Sequence, residues 1–346
     1  ALTANSSGFK NTAVGSGAGE GNTTGDNLVA VGFNAAENNT TADDNTAIGS
    51  QALFTNTTGA KNVAIGTGAM YNNTTANDNV AVGAESMDAN TTGAGNTAVG
   101  MGSMGANTTG QRSVAIGYNA MLVSTTASDS VCVGYAAGDA ITDAIENVFV
   151  GYFAGSGTTT GLNNTGVGAS ALQANTTGIK NVAVGNRCLD ANTTANNNTG
   201  VGHEALTDNT TGADNTAVGF QAGENVTTAS NGVYIGKEAG AAVTTGDTNI
   251  CIGISSADTL TTGNSNIIIG NTARPSASGG ANQIAMGVVA TCVGDNNFTF
   301  GNQSTDSNIA FGATSITAPS DIRLKEDIQD ETIGLNFLND LRPVTF

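Results

Sequence analysis

The sequence predicts an all-β protein whose bulk is a parallel β-solenoid of 17-residue coils, and three observations carry that prediction. Glycine recurs at Gly15, Gly32, Gly49, Gly66 and every seventeenth position up to Gly287, sixteen intervals without an insertion or deletion. Three residues before each anchor the chain is β-branched, as at Thr12, Val29, Thr46, Val63 and on to Ile284. One residue before it the chain is aliphatic, as at Val14, Val31, Ile48 and Ile65. So strict a period marks a repeat architecture in which each unit packs on its neighbours, and 17 residues are too few for a helix-pair repeat.

The strand comes first in each coil. Residues two apart share a strand face, so the two aliphatic rows are expected to form one wall lining the coil interior. The residue between them is usually alanine (Ala13, Ala30, Ala47, Ala64), with Cys132, Phe149, Tyr234, Cys251 and Ile268 among the exceptions. That row is expected to face outward, where another layer or chain approaches closely. The anchor glycine then allows a positive φ or a tight corner. At about 4.8 Å per coil, seventeen coils make a rod on the order of 80 Å long.

Two variable residues, a small one and a bulky one follow each anchor. The bulky phase gives Met70, Met87, Met104 and Met121 on consecutive coils, then Leu172, Leu189 and Leu206. This stripe either forms a seam between side-by-side chains, for which the four methionines are the candidates, or fills a second inner corner of the coil. Next come Asn-Thr-Thr corners, expected to stack as amide and hydroxyl ladders from Asn22 to Asn107 and beyond. Each corner is formally a glycosylation sequon, but the repeat generates these by itself. Tyr118, Tyr135 and Tyr152 stand just after three consecutive anchors, where Phe33, His203 and Phe220 occur elsewhere. An aromatic column on a rod is a candidate glycan-binding strip, against the alternatives of seam packing or plain ladder stabilisation.

After Gly287 the period fails. The anchors shorten to Gly301 and Gly312, behind Phe298-Thr299-Phe300 and Ile309-Ala310-Phe311, and the composition changes at Pro319. The chain therefore divides into a lead-in (residues 1–10), a seventeen-coil shaft (11–287), an irregular β neck (288–319) and a C-terminal piece (320–346).

Composition sets bounds. The net charge of −18 argues against nucleic acid, whose phosphates would be repelled. Asp43, Asp44, Asp78 and Asp214 recur too sporadically for a metal loop and read as solvated corner carboxylates, so no metal or other cofactor is expected. Cys132 and Cys251 are seven coils apart, roughly 34 Å by coil rise, and cannot bridge within one chain. All four cysteines, Cys188 and Cys292 included, read as structural thiols. No stretch is apolar enough to cross a membrane and no signal peptide is visible, so any attachment domain is expected upstream.

The phrase Asn62-Val63-Ala64-Ile65-Gly66 resembles the head repeats of trimeric autotransporter adhesins, which form a parallel β-roll of three chains side by side. Those repeats are usually shorter and lack the Asn-Thr-Thr corner. The C-terminal run Ser320-Asp321-Ile322-Arg323-Leu324-Lys325-Glu326-Asp327-Ile328, ending in Arg342-Pro343-Val344-Thr345-Phe346, resembles the opening of the endosialidase-type intramolecular chaperone domain of phage tail fibres and tailspikes. That resemblance implies a short helical start, a homotrimer, and self-cleavage beside Ser320 with Ser320 as nucleophile and Lys325 as its base. A neutral lysine amine requires burial, and a plain helix start capped by Ser320 is the alternative.

The expectation is thus a virion fibre or tailspike shaft at the virion surface or outside the cell. It would be joined upstream to a virion component and attached to a host receptor such as a cell-surface glycan. It would have no external enzymatic activity and no membrane insertion. A cellular trimeric adhesin or extracellular filament is the alternative. An ice-binding solenoid ranks lower, because adjacent Thr23 and Thr24 would face opposite ways in a strand.

Overall fold

The structure, a computed structural model, describes residues 1–313. The expected helical start, Ser320 and Lys325 lie outside the described residues. Sixteen three-residue strands stand in the predicted phase, from β1 (Thr12–Val14) to β16 (Ile267–Ile269), followed by β17 (Gln283–Met286). Each pairs in parallel with the next at a spacing of 17 residues, as in Val63↔Val80, Ala64↔Ala81 and Ile65↔Val82. The described residues form a parallel β-solenoid and contain no helix.

Axial bonding continues around the whole coil. Gly66 N–H donates back to the Ile48 carbonyl at 2.8 Å, Met70 N–H forward to Ser86 at 2.9 Å, and Thr57 N–H forward to Thr74 at 3.0 Å. The coil thereby satisfies its main-chain groups without regular strands at its corners. Its corners do require left-handed backbone at three phases, shown by Gln51 (φ 57°), Leu53 (φ 53°) and Lys61 (φ 59°). For side chains other than glycine each such residue costs about 1–2 kcal/mol, which the axial bonds and burial offset. The anchor is more restrictive. Gly32 has φ 136°, and a Cβ there would lie 2.5 Å from the carbonyl oxygen of Gly49 in the next coil. Stacked anchors admit glycine alone.

The strand faces are the reverse of the sequence expectation. Ala30, Ala47, Ala64, Ala81 and Ala98 are fully buried, whereas Ile48, Val184, Val218 and Ile235 are 38–39% exposed. The alanine row points in and the Val/Ile rows point out. The physical reason is the narrowness of the coil: the interior opposite the strand is already filled by the bulky phase and the small phase, both fully buried at Ala52, Leu53, Ala69 and Met70. Only a methyl fits.

The exceptions in the alanine row confirm that limit. Phe149 is fully buried there, and the bulky phase on either side is reduced to Gly138 and Gly155. Tyr234 is likewise buried, with glycine at Gly223, Gly240 and Gly232, where a Cβ on Gly232 would lie 2.5 Å from the ring's Cζ. Cys188 in the small phase faces Gly200 in the alanine row, at 2.5 Å between Sγ and a Cβ placed there. Volume is held constant across coils, as close packing requires.

Two buried polar columns complete the interior. In the corner column Asn39 Nδ2 donates to Asn22 Oδ1 (2.9 Å), Asn56 to Asn39 (2.8 Å) and Asn73 to Asn56 (2.9 Å), while each amide also reaches a carbonyl in its own corner. In the second, just before the strand, Asn62 N–H donates to Asn45 Oδ1 (2.9 Å) and Asn62 Nδ2 donates to the Ala76 carbonyl (2.8 Å).

The ends depart from simple expectation. Residues 1–10 already hold coil phases: Leu2 (φ 53°) and Lys10 (φ 57°) are left-handed, Asn5 accepts from Asn22 at 3.1 Å, and Ser6 donates to the Thr23 carbonyl at 2.9 Å. In the neck, β18 (Asn297–Phe300) still stacks in parallel on β17 after a shortened step, and β19 (Ser307–Ala310) turns back antiparallel to it.

Candidate interaction surfaces

The described residues enclose no pocket, and no group of three metal-ligating side chains comes together among them. No helix among them is long and apolar enough to cross a membrane. What the rod offers is therefore its long outer faces, and each follows from one phase of the coil.

The expected methionine seam is not a face at all. Met70, Met87, Met104 and Met121 are fully buried inside the single chain, as are Leu172, Leu189 and Leu206. Their left-handed backbone turns the side chains into the coil, so they fill the inner corner and have no surface to present to a second chain. The apolar surface lies instead on the outward strand rows. Val14, Ile48, Ile116, Val167, Val184, Val201, Val218 and Ile235 are all more than a third exposed, on one continuous side of the sheet. Sequence reasoning found these rows but placed them inside, because it weighed hydrophobicity without the width of the coil.

Tyr118, Tyr135 and Tyr152 come together as predicted. Their rings stack at 5.3 and 5.4 Å with interplanar angles of 10° and 23°. Phe153 meets Tyr152 edge-on at 4.5 Å and Tyr135 at 5.4 Å. The same phase stacks His203 on Phe220 at 5.4 Å. Because each tyrosine covers its neighbour's face, the column presents ring edges and hydroxyls. A sugar ring needs a free aromatic face. Above Tyr152 the next residue of the column is Ala169, so only the column's ends leave a face uncovered by a further ring.

The Asn-Thr-Thr stretch forms the stacked corner expected of it, so the strand argument used against two threonine rows does not apply there. Thr57 and Thr58 lie in a bend between strands, with Thr57 half-buried and Thr58 exposed. Thr57 Oγ1 donates to the Thr74 carbonyl at 3.0 Å, so the first hydroxyl of each pair is spent along the axis and the second faces solvent. Meanwhile the sequon asparagines are closed: Asn22, Asn39, Asn56, Asn73, Asn90 and Asn107 are fully buried with their amides engaged.

Charged groups gather where a corner turns. Arg187 pairs with Asp190 and Glu204, both at 3.1 Å, and Gln221 bridges Glu204 (2.9 Å) and Glu224 (3.1 Å). Partial burial, then repulsion from Glu204, Asp208 and Glu238, holds the Glu224 carboxyl above the usual range. Arg112 and Asp129 form an exposed two-bond pair at 2.7 and 2.8 Å. The four cysteines are buried free thiols, Cys132 and Cys251 in the alanine row, Cys188 in the small phase and Cys292 in the neck. Burial pushes Cys188 and Cys251 up to about 12 and Cys292 to about 11.

Comparison with protein-family models, with curated proteins and with solved structures returns no match.

Proposed function

We propose that the chain is the shaft of a virion fibre or tailspike, a homotrimer used for attachment to a host-cell surface. The observation that carries this reading is the unbroken axial register over seventeen coils, which makes a stiff spacer with no pocket among the described residues. The resemblance of Ser320–Phe346 to an intramolecular chaperone opening supplies the trimerising element. On that reading the peptide bond beside Ser320 is cut after assembly: the Ser320 hydroxyl attacks the adjacent carbonyl as a neutral Lys325 amine takes its proton and passes it to the departing backbone amine, and water then hydrolyses the resulting ester. The receptor is a cell-surface glycan, and Tyr118, Tyr135 and Tyr152 offer it hydroxyls along the rod and an aromatic face at the column's ends. An upstream virion component anchors the shaft.

The repeat phrase around Asn62–Gly66 favours a cellular trimeric adhesin as the second reading. A membrane anchor in the full-length protein supports that alternative, and a virion-binding domain excludes it.

The test is the mass of the assembled particle together with the intact mass of its chain. A threefold particle mass with a new terminus at Ser320 is expected. A monomer carrying an uncut chain overturns the proposal.

A further inference from the structure

We infer that the outward Val/Ile face of the solenoid, and not its methionine stripe, is the surface by which copies of this chain pack side by side, parallel and in register. The parallel sense rests on the proposed reading, in which a C-terminal trimerising element brings the C-termini together. The face itself rests on burial and charge. It comprises the residues one and three before each anchor, thirty-four positions over seventeen coils, and none of them is charged in a chain of net charge −18. Acidic chains repel one another, so an uncharged lane along the whole rod is the route by which like chains can approach.

Size and shape also select the occupant. Nine of the seventeen positions one before an anchor are more than a third exposed, and nearly all the rest of the two rows is half-buried, so together they are on the order of the ~800 Å² per partner of a standard interface. An exposed apolar patch that large on a soluble chain marks an interaction surface. Its contour repeats with every coil, about every 4.8 Å, over on the order of 80 Å. A globular partner has no matching period. A second copy matches every ridge, and the in-register arrangement does so at all seventeen levels, whereas a slip by a whole coil keeps the phases matched but leaves an end coil of each rod uncovered.

Val82 separates the arrangements, because it lies in the fifth coil of seventeen and an antiparallel pair would carry it far from its counterpart. Under oxidising conditions Val82→Cys is expected to link covalently to its own counterpart in another chain. Thr75→Cys, on the exposed threonine corner, is not expected to link, and the four native thiols are buried and give little background. The combined variant Ile65→Asp/Val82→Asp/Val99→Asp places charge on outward, half-exposed positions and leaves the coil interior untouched. It is expected to shift the particle to monomer mass by light scattering with β-sheet circular dichroism retained. A wild-type monomer at micromolar concentration, a triple variant that keeps its oligomeric mass, or Val82→Cys that stays unlinked while Thr75→Cys links, each overturns the inference. An uncut chain or one absent from virions removes the fibre reading but leaves a Val82 cross-link standing, so the two failures are distinguishable.

Discussion

At the residue scale the account rests on how little room the coil interior has. Tyr234 is tolerated in the alanine row because Gly223, Gly232 and Gly240 vacate the space its ring fills. Gly240→Leu should therefore destabilise the rod by on the order of 2–3 kcal/mol through overpacking. Tyr234→Ala should also destabilise, by leaving a cavity. The pair together restores the ordinary coil and should recover most of both losses in a double-mutant cycle of denaturant midpoints. Additive losses would mean that the ring does not occupy those glycine positions. The buried thiols give a pH signature. Burial raises Cys188 and Cys251 from an ordinary 9.0 to about 12, so the folded state favours the neutral form. That contribution is complete below pH 9 and is lost as pH climbs from 9 towards 12. Melting temperatures should accordingly fall over that range, and a thiol reagent at pH 8 should label the native chain slowly and all four cysteines rapidly after unfolding.

At the scale of the coil, the corner asparagines show when a buried polar column is worth keeping. Asn73 sits mid-column, donating to Asn56 and accepting from Asn90 at 2.9 Å each. Asn73→Ala orphans the buried Asn56 oxygen and should cost on the order of 2–3 kcal/mol by chemical denaturation. Asn209 ends its column: its Oδ1 is already unpaired, and the following coils carry Val226, Val243 and Leu260 in the same phase. Asn209→Val likewise orphans a buried oxygen, that of Asn192, but it breaks no bond to a following coil and fills its space with a side chain like those of the next coils, so it should cost somewhat less than Asn73→Ala. The natural interruptions follow this logic, replacing several adjacent partners at once around Phe149 and Tyr234.

The same coil shows what could be read from the residues alone. Strand positions, parallel order, the anchor glycines and the tyrosine column were legible because a fixed period forces equal phases to stack. The direction of the strand faces was not. In a broad sheet Val and Ile turn inward, but here the three-residue strand backs onto a core already filled by Leu53 or Met70, and alanine wins the inside. The methionine stripe fills the coil's inner corner for the same reason, since Met70 and its successors are needed within the coil and cannot serve as a seam. The stacked Asn-Thr-Thr corners were legible too, since Asn and Thr at a fixed phase can bond along the axis, as Thr57 Oγ1 does to the Thr74 carbonyl.

At the scale of the whole molecule, these features make a rod that is chemically uniform along its length. Its interior is alanine, methionine, leucine and asparagine; its corners are threonine and charge; one side carries valine, isoleucine and some threonine and no charge. Such a side, repeated coil after coil, is the feature a solitary solenoid least needs, and it ties the fold to assembly and assembly to the proposed role as a fibre shaft. The most direct test is a cryo-electron microscopy map of the assembled particle. The account predicts three parallel rods, each on the order of 80 Å long, with the rows of Val63 and Ile65 turned to the common axis and Ala64 inside each coil. A map showing Val63 and Ile65 within the coil, or three rods meeting through their threonine corners, would contradict it.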